Sequence, residues 1–219
     1  MIDKNFGYLG AALIMVGSVA YAWDTLRGNA KPNRVTWTMW TAAPLVAFAG
    51  MMHDGAEFAT SSMTLCAGLG PALVLACSFV NKNSVWKLTA FDLACGGLSV
   101  IGLIALVSTG SGLAGVTFGV LADCLALLPT LVKSWVLPDS ESDNFFWLSA
   151  IGATITLLAG TQWGFVDVAF PVYGATASAL LAVLIRFRLG PRLWRPLLRS
   201  APVTAELRPD GPLVPGYGG

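Results

Sequence analysis

The chain has 219 residues, with 13 Lys+Arg against 12 Asp+Glu and a formal charge of +1. Only 11% of the residues are charged and 55% are hydrophobic, whereas a soluble domain is about 25% charged. A surface built to face water on all sides is excluded, a polytopic membrane protein is expected, and the near-neutral balance removes a basic nucleic-acid footprint.

The opening MIDKNF lacks the basic leader and small-residue cleavage site of a secretory signal, so the first apolar run is read as a retained helix. Seven runs follow in order, at 6–24, 36–52, 61–80, 87–108, 112–135, 145–163 and 165–187. Each approaches the roughly 20 residues needed to cross a hydrocarbon core. They are continuously apolar rather than alternating, which fits helices and not barrel strands. Runs 2 and 6 are short and the gap before run 7 is tight, so one re-entrant segment stays open. The four cysteines, Cys66, Cys77, Cys95 and Cys124, all lie inside apolar runs without a CxxC pair. They read as small hydrophobes. With His53 as the single histidine, neither a His-based metal centre nor a Ser/His/Asp triad is expected.

Lys/Arg placement gives the orientation. With the N-terminus outside, Arg27, Lys31, Arg34, Lys82, Lys87 and Lys133 fall in cytoplasmic loops. Arg186, Arg188, Arg192, Arg195, Arg199 and Arg208 fall in a cytoplasmic tail, leaving only Lys4 of the 13 bases outside. The outer loops carry Asp54, Glu57 and Asp167. The tail, 189–219, is rich in Arg, Pro and Gly and cannot continue as a regular helix. Its first part mixes Arg with Leu and Trp194, which suits the headgroup layer.

Runs 2 and 6 align at an offset of 110: Trp37 with Trp147, Ala43 with Ala153, Leu45 with Ile155, and Ala49-Gly50 with Ala159-Gly160. Arg27 is followed five residues later by Pro32, and Lys133 by Pro138. Two three-helix units are expected, at 1–83 and 111–188, joined by a linker helix within 84–110. An odd number of spans per unit means that the linker restores a common orientation, so the repeats are parallel.

This 3+1+3 layout resembles the SWEET sugar transporters and the wider PQ-loop superfamily. The residues carrying the likeness are LPTLVKSW (127–134 plus Trp135), Pro138, SES (140–142) and Trp147, with Thr130 where the PQ-loop has Gln. The first unit, YAWDTLRGNAKPNRVTW (21–37), keeps the base, the Pro and the Trp but lacks the leading Pro-Gln. The resemblance implies two triple-helix bundles with a solute site between them.

Asp123 lies near the centre of run 5. A carboxylate at mid-bilayer is costly and faces a cavity or a partner. Two readings stand: a proton carrier, or a protonated acid bonded to a neighbouring helix. Asp92, some six residues into run 4, is a second acidic site, a snorkelling carboxylate or a partner for Lys87. Asp24 lies three residues before Arg27, the spacing of a helical ion pair; a gate is the sharper alternative. Pro44 and Pro129 are hinge candidates, because proline frees a backbone carbonyl and bends its helix. Trp37, Trp147 and Trp163 near helix ends read as an interfacial belt. Trp40 sits one turn deeper and, with Thr41, Thr154 and Tyr173, completes the set of candidate solute contacts.

The expected function is a membrane carrier or facilitator for a small polar solute, a sugar or an amino acid, with proton coupling as an option. The alternative is a non-transporting subunit or scaffold of a larger membrane complex, and a homo-oligomer is compatible with either. No cofactor is expected. The chain lacks a nucleotide-binding P-loop, an HExxH and a lysine deep in run 7 for a Schiff base, so neither an enzyme nor a retinal protein is indicated.

Overall fold

A computed structural model describes residues 3–53, 58–81, 86–108, 112–160 and 163–193. Asp54, Glu57 and Lys82 from the charge argument lie outside the described residues, as does the tail from Trp194 onward. Seven α-helices and one 3-10 turn, with no strand, make up the regular structure of the described residues. They are α1 (Phe6–Arg27), α2 (Arg34–His53), α3 (Phe58–Val80), α4 (Ala90–Ser108), α5 (Gly112–Val136), the turn Pro138–Ser140, α6 (Asp143–Ala159) and α7 (Phe165–Phe187). Stretches at Phe6–Arg27, Ser61–Val80, Val116–Val136 and Val168–Phe187 are long and apolar enough to cross a membrane.

Local chemistry sets the ends. Gly28 closes α1 with φ 83°, a left-handed conformation that glycine adopts without strain. Thr89 opens α4 as a capping box: its Oγ1 accepts from Asp92 N at 3.2 Å, while Asp92 Oδ2 accepts from Thr89 N at 2.6 Å. Run 4 was expected to begin at 87, and this cap is why the helix starts later. Run 6 was expected to reach 163, but Gly160 leaves the helix in an extended conformation and ends α6 at Ala159. Beyond α7, Arg188 turns the chain with φ 48°, and the Arg192 N–H donates to Arg188 O, so the start of the tail resumes a helical turn.

α3 packs against both α1 and α2, and α7 against both α5 and α6. α1 meets α6, α2 meets α5, and α4 lies on α5 with a lighter contact to α2. The helices alternate in direction. The C-terminal ends of α1, α3, α5 and α7 and the starts of α2, α4 and α6 gather at one end, joined by hydrogen bonds from Asn81 to Thr25 O and Leu26 O, and from Arg34 to Ser78 O. We call this the basic end, because Arg27, Lys31, Arg34, Lys87, Lys133, Arg186, Arg188 and Arg192 all belong to it. Between α1 and α6 the helices approach closely: a Cβ on Gly10 would lie 2.8 Å from Gly152 O. Small residues permit such contact between apolar helices.

The distribution of polarity is inverted relative to a water-soluble bundle. On α5, Asp123, Thr130, Lys133 and Ser134 are buried, while Leu121, Leu128, Val132 and Val136 are exposed. On α4, Asp92 and Ser99 are buried and Leu93, Ile101 and Ile104 are at least 60% exposed. An apolar outer face with an inward polar face suits a hydrocarbon surrounding.

Candidate functional site

The inward face of α5 carries polar groups at 123, 130, 133 and 134, a spacing that keeps them on one side of the helix. At the basic end this face meets a buried ion pair. Lys133 Nζ lies 2.6 Å from Glu141 Oε1, and both side chains are wholly buried. The three ammonium hydrogens have three acceptors: Glu141, the carbonyl of Lys31, and more distantly Ser140 O at 3.4 Å. Tyr21 donates to the other carboxylate oxygen, Glu141 Oε2. Lys31 N donates to Ser140 O at 2.9 Å, and the Trp86 ring covers Lys133 at 5.1 Å. One network thus ties α1 and the α1–α2 loop to α5 and the α5–α6 turn. A buried charge is tolerated when its partner is held in place and the remaining donors are satisfied.

A second connection lies one turn deeper. Thr130 Oγ1 donates to Thr36 Oγ1 at 3.1 Å, and Thr36 Oγ1 donates to Ala126 O at 2.8 Å. Asn33 caps α2, its Oδ1 accepting from Val35 N, and its amide donates to Asp92 Oδ1 at 2.9 Å. The start of α2 is therefore bonded to both α4 and α5.

Below this layer five aromatic rings from α1, α2 and α6 pack together. Tyr21 and Trp37 lie 4.6 Å apart, Trp37 and Phe145 5.1 Å, Phe145 and Phe146 5.2 Å, and Trp37 and Trp40 5.4 Å. Trp37 and Tyr21 are fully buried. Beyond the rings lies Asp123, about 15 Å from Lys133 along the α5 axis, given ten residues of helix. Asp123 is 9% exposed. The Trp40 indole and the Tyr173 hydroxyl come against its carboxyl from α2 and α7. Tyr173 Oη makes no hydrogen bond of ordinary geometry, and no ion pair reaches Asp123 among the described residues. The level is thus an acid with two neutral donors in reach and no cation.

The structure brings Asp123, Trp40 and Tyr173 together. It does not bring Thr41 and Thr154 to them: Thr41 Oγ1 donates back to Trp37 O, and Thr154 is exposed with its hydroxyl on Ala150 O. Pro44 and Pro129 lie inside α2 and α5. Pro129 is adjacent to the Thr36–Thr130 contact. Asp24 and Arg27 form no ion pair; the Arg27 guanidinium sits over the Trp23 ring at 4.6 Å, and Asp24 O accepts from Asn29 N in the cap of α1. Asp92 does not pair with Lys87, which is exposed; its carboxylate is taken by Thr89 and Asn33. Trp37 is no belt residue, because it is fully buried against Tyr21, whereas Trp163 is 56% exposed. Lys133, Glu141 and Tyr21 stand in the stretches that carry the PQ-loop likeness, but none of them was expected in the site. The available signal was that Lys133 shares a helix face with Asp123 and Thr130, which points it inward rather than to a loop.

No family model, curated protein or solved structure matches the chain.

Proposed function

We propose that the chain is an integral membrane carrier or facilitator for a small polar solute, a divergent relative of the PQ-loop and SWEET-like transporters, with seven spans in a 3+1+3 arrangement. The observation that carries this reading is the placement of buried polar groups along the contact between the two halves. Exchange of α1 with α5, α2 with α6 and α3 with α7 relates the main contacts of the two triplets: α3 and α7 each touch both other members of their triplet, and the α1–α6 contact maps onto α5–α2. That exchange supports two like units with α4 as the link. The positive-inside rule places the basic end in the cytoplasm and the N-terminus outside a cell membrane.

In this reading the Lys133–Glu141–Tyr21 network and the aromatic cluster close the basic end. Asp123, Trp40 and Tyr173 offer a carboxyl, an indole and a phenol to a solute or proton from the other side. Trp40 presents a flat face to sugar C–H groups, and Asp123 exchanges a proton. A second reading, a non-transporting subunit of a membrane complex, draws on the same aromatic cluster, which fills the interface with apolar atoms.

Flux into liposomes under a pH gradient, with sugars and amino acids as solutes, tests the carrier. Wild type is expected to move one of these classes. Asp123→Asn is expected to keep the fold and lose gradient-driven uptake, because Asn cannot cycle a proton. Absence of flux in the wild type across both classes favours the scaffold; unchanged gradient-driven flux in the variant removes Asp123 from the mechanism.

A further inference from the structure

At the basic end, outside the buried ion pair, lies a cavity of about 850 Å³. It forms where the α1 cap, the end of α5, the Pro138–Ser140 turn and the chain after α7 meet. Three cations line it: Lys31, Arg188 and Arg192. One carboxylate opposes them, Asp139, whose Oδ1 pairs with Arg188 Nη2 at 2.6 Å. Lys31 and Arg192 are exposed and make no ion pair among the described residues. The cavity therefore keeps two cations to spare. Trp86 forms part of its wall, and the Trp86 indole N–H has no partner among the described residues.

Apart from Asn29 and Ser140, the remaining wall is largely apolar. Val136 and Leu137 line the cavity and are about half exposed. Val136 continues into the outward stripe of α5 through Val132 and Leu128. A cationic pocket that opens onto a hydrocarbon-facing stripe matches one chemistry in both parts: a phosphate on a glycerol carrying acyl chains. A soluble anion would use the cations and leave the apolar wall without a role.

We propose that this cavity binds the headgroup of an anionic phospholipid. Lys31 and Arg192 hold the phosphate, Arg188 is shared with Asp139, the Trp86 N–H donates to a headgroup oxygen, and an acyl chain follows the Val132–Val136 stripe. The inference rests on the membrane reading above.

The test uses the full-length chain purified in a neutral detergent. Thermal unfolding is followed while phosphatidylglycerol, phosphatidylcholine or inorganic phosphate is titrated in. Phosphatidylglycerol is expected to raise the midpoint saturably, and the other two to leave it in place. Lys31→Gln/Arg192→Gln is expected to bind phosphatidylglycerol roughly 30-fold more weakly, from about a factor of five per cation. Asp139→Asn, which removes the opposing carboxylate, is expected to bind it several-fold more tightly. Arg27→Gln, on a cation that sits over Trp23 and does not line the cavity, is expected to match wild type. Equal stabilisation by phosphatidylcholine, or undiminished binding by the double variant, overturns the site. Equal stabilisation by inorganic phosphate assigns the cavity to a soluble anion and overturns the lipid. Retention of the wild-type chain in membranes after an alkaline wash is measured separately, so that loss of the membrane reading is not mistaken for loss of the site.

Discussion

Two buried acids in this chain are handled in opposite ways. Glu141 lies against a lysine ammonium and accepts from a tyrosine, so both of its oxygens are engaged and its charge is matched. Asp123 meets an indole and a phenol and has no cation among the described residues. Both lie inside the helix packing, on either side of a cluster of five aromatic rings. The difference teaches what each can do. A matched pair fixes the relative position of the elements that carry it and resists any change of charge. An unmatched acid among neutral donors changes protonation without leaving an orphan of opposite charge behind. The basic end is accordingly a fastening, and the Asp123 level is where chemistry can vary.

The strongest way to break that comparison is to remove the cation. Lys133→Gln leaves Glu141 buried without its charge partner and frees the Lys31 carbonyl. A loss of about 3–5 kcal/mol of stability is expected, read as a fall in the thermal midpoint and in the yield of monodisperse protein. Lys133→Gln/Glu141→Gln removes both charges and is expected to recover much of that loss. If the single variant is as stable as wild type, the pair is not a fastening. A smaller effect is expected from Tyr21→Phe. The ring keeps its contacts with Trp37 and Phe145, and only the hydroxyl donated to Glu141 is lost. Hydrogen bonds to charged groups contribute about 1.5–3 kcal/mol. Tyr21→Phe in the Glu141→Gln background should cost less than in wild type, and additivity there would sever Tyr21 from the ion pair.

The helices were legible because an apolar run of about 20 residues has few other uses; all seven runs coincide with helices apart from a few residues at their ends. The ends themselves were harder, since Thr89 and Asp92 cap each other at a point where the run looks uninterrupted. The meeting of Asp123 with Trp40 and Tyr173 could be anticipated only as membership of one polar set, because nothing local in the sequence fixes which faces of α2, α5 and α7 converge. Lys133 was misread as a loop base for a definite reason. Counting Lys and Arg near helix ends treats each as solvent-facing, yet Lys133 lies within the last turn of α5 on the face that already carries Asp123 and Thr130. Its acid is supplied from beyond Pro138, in the short turn, where Glu141 reads as an ordinary polar residue. Trp37 failed likewise: proximity to a helix end says interface, whereas burial depends on Tyr21 of another helix. Residues paired across the seam are the ones a single chain reading separates.

The smallest effect on stability is expected at Asp123, and it sharpens the comparison most. Asp123→Asn removes a charge-capable group, as Lys133→Gln does, but no counter-ion is abandoned. The Asn amide oxygen occupies the place of one carboxyl oxygen and can accept from the Trp40 indole or the Tyr173 hydroxyl. The difference is then one neutral hydrogen bond at most, about 0.5–1.5 kcal/mol, against the larger loss at Lys133. Denaturation of the two variants in the same detergent gives both numbers, and their order is the quantity of interest. A penalty at Asp123 equal to that at Lys133 would mean that the carboxylate is charged and matched by a partner outside the described residues. In that case the acid is structural, and a proton-carrying role at this level falls with it. A small penalty leaves an acid that can gain or lose its proton while the fold is held by the network at the basic end.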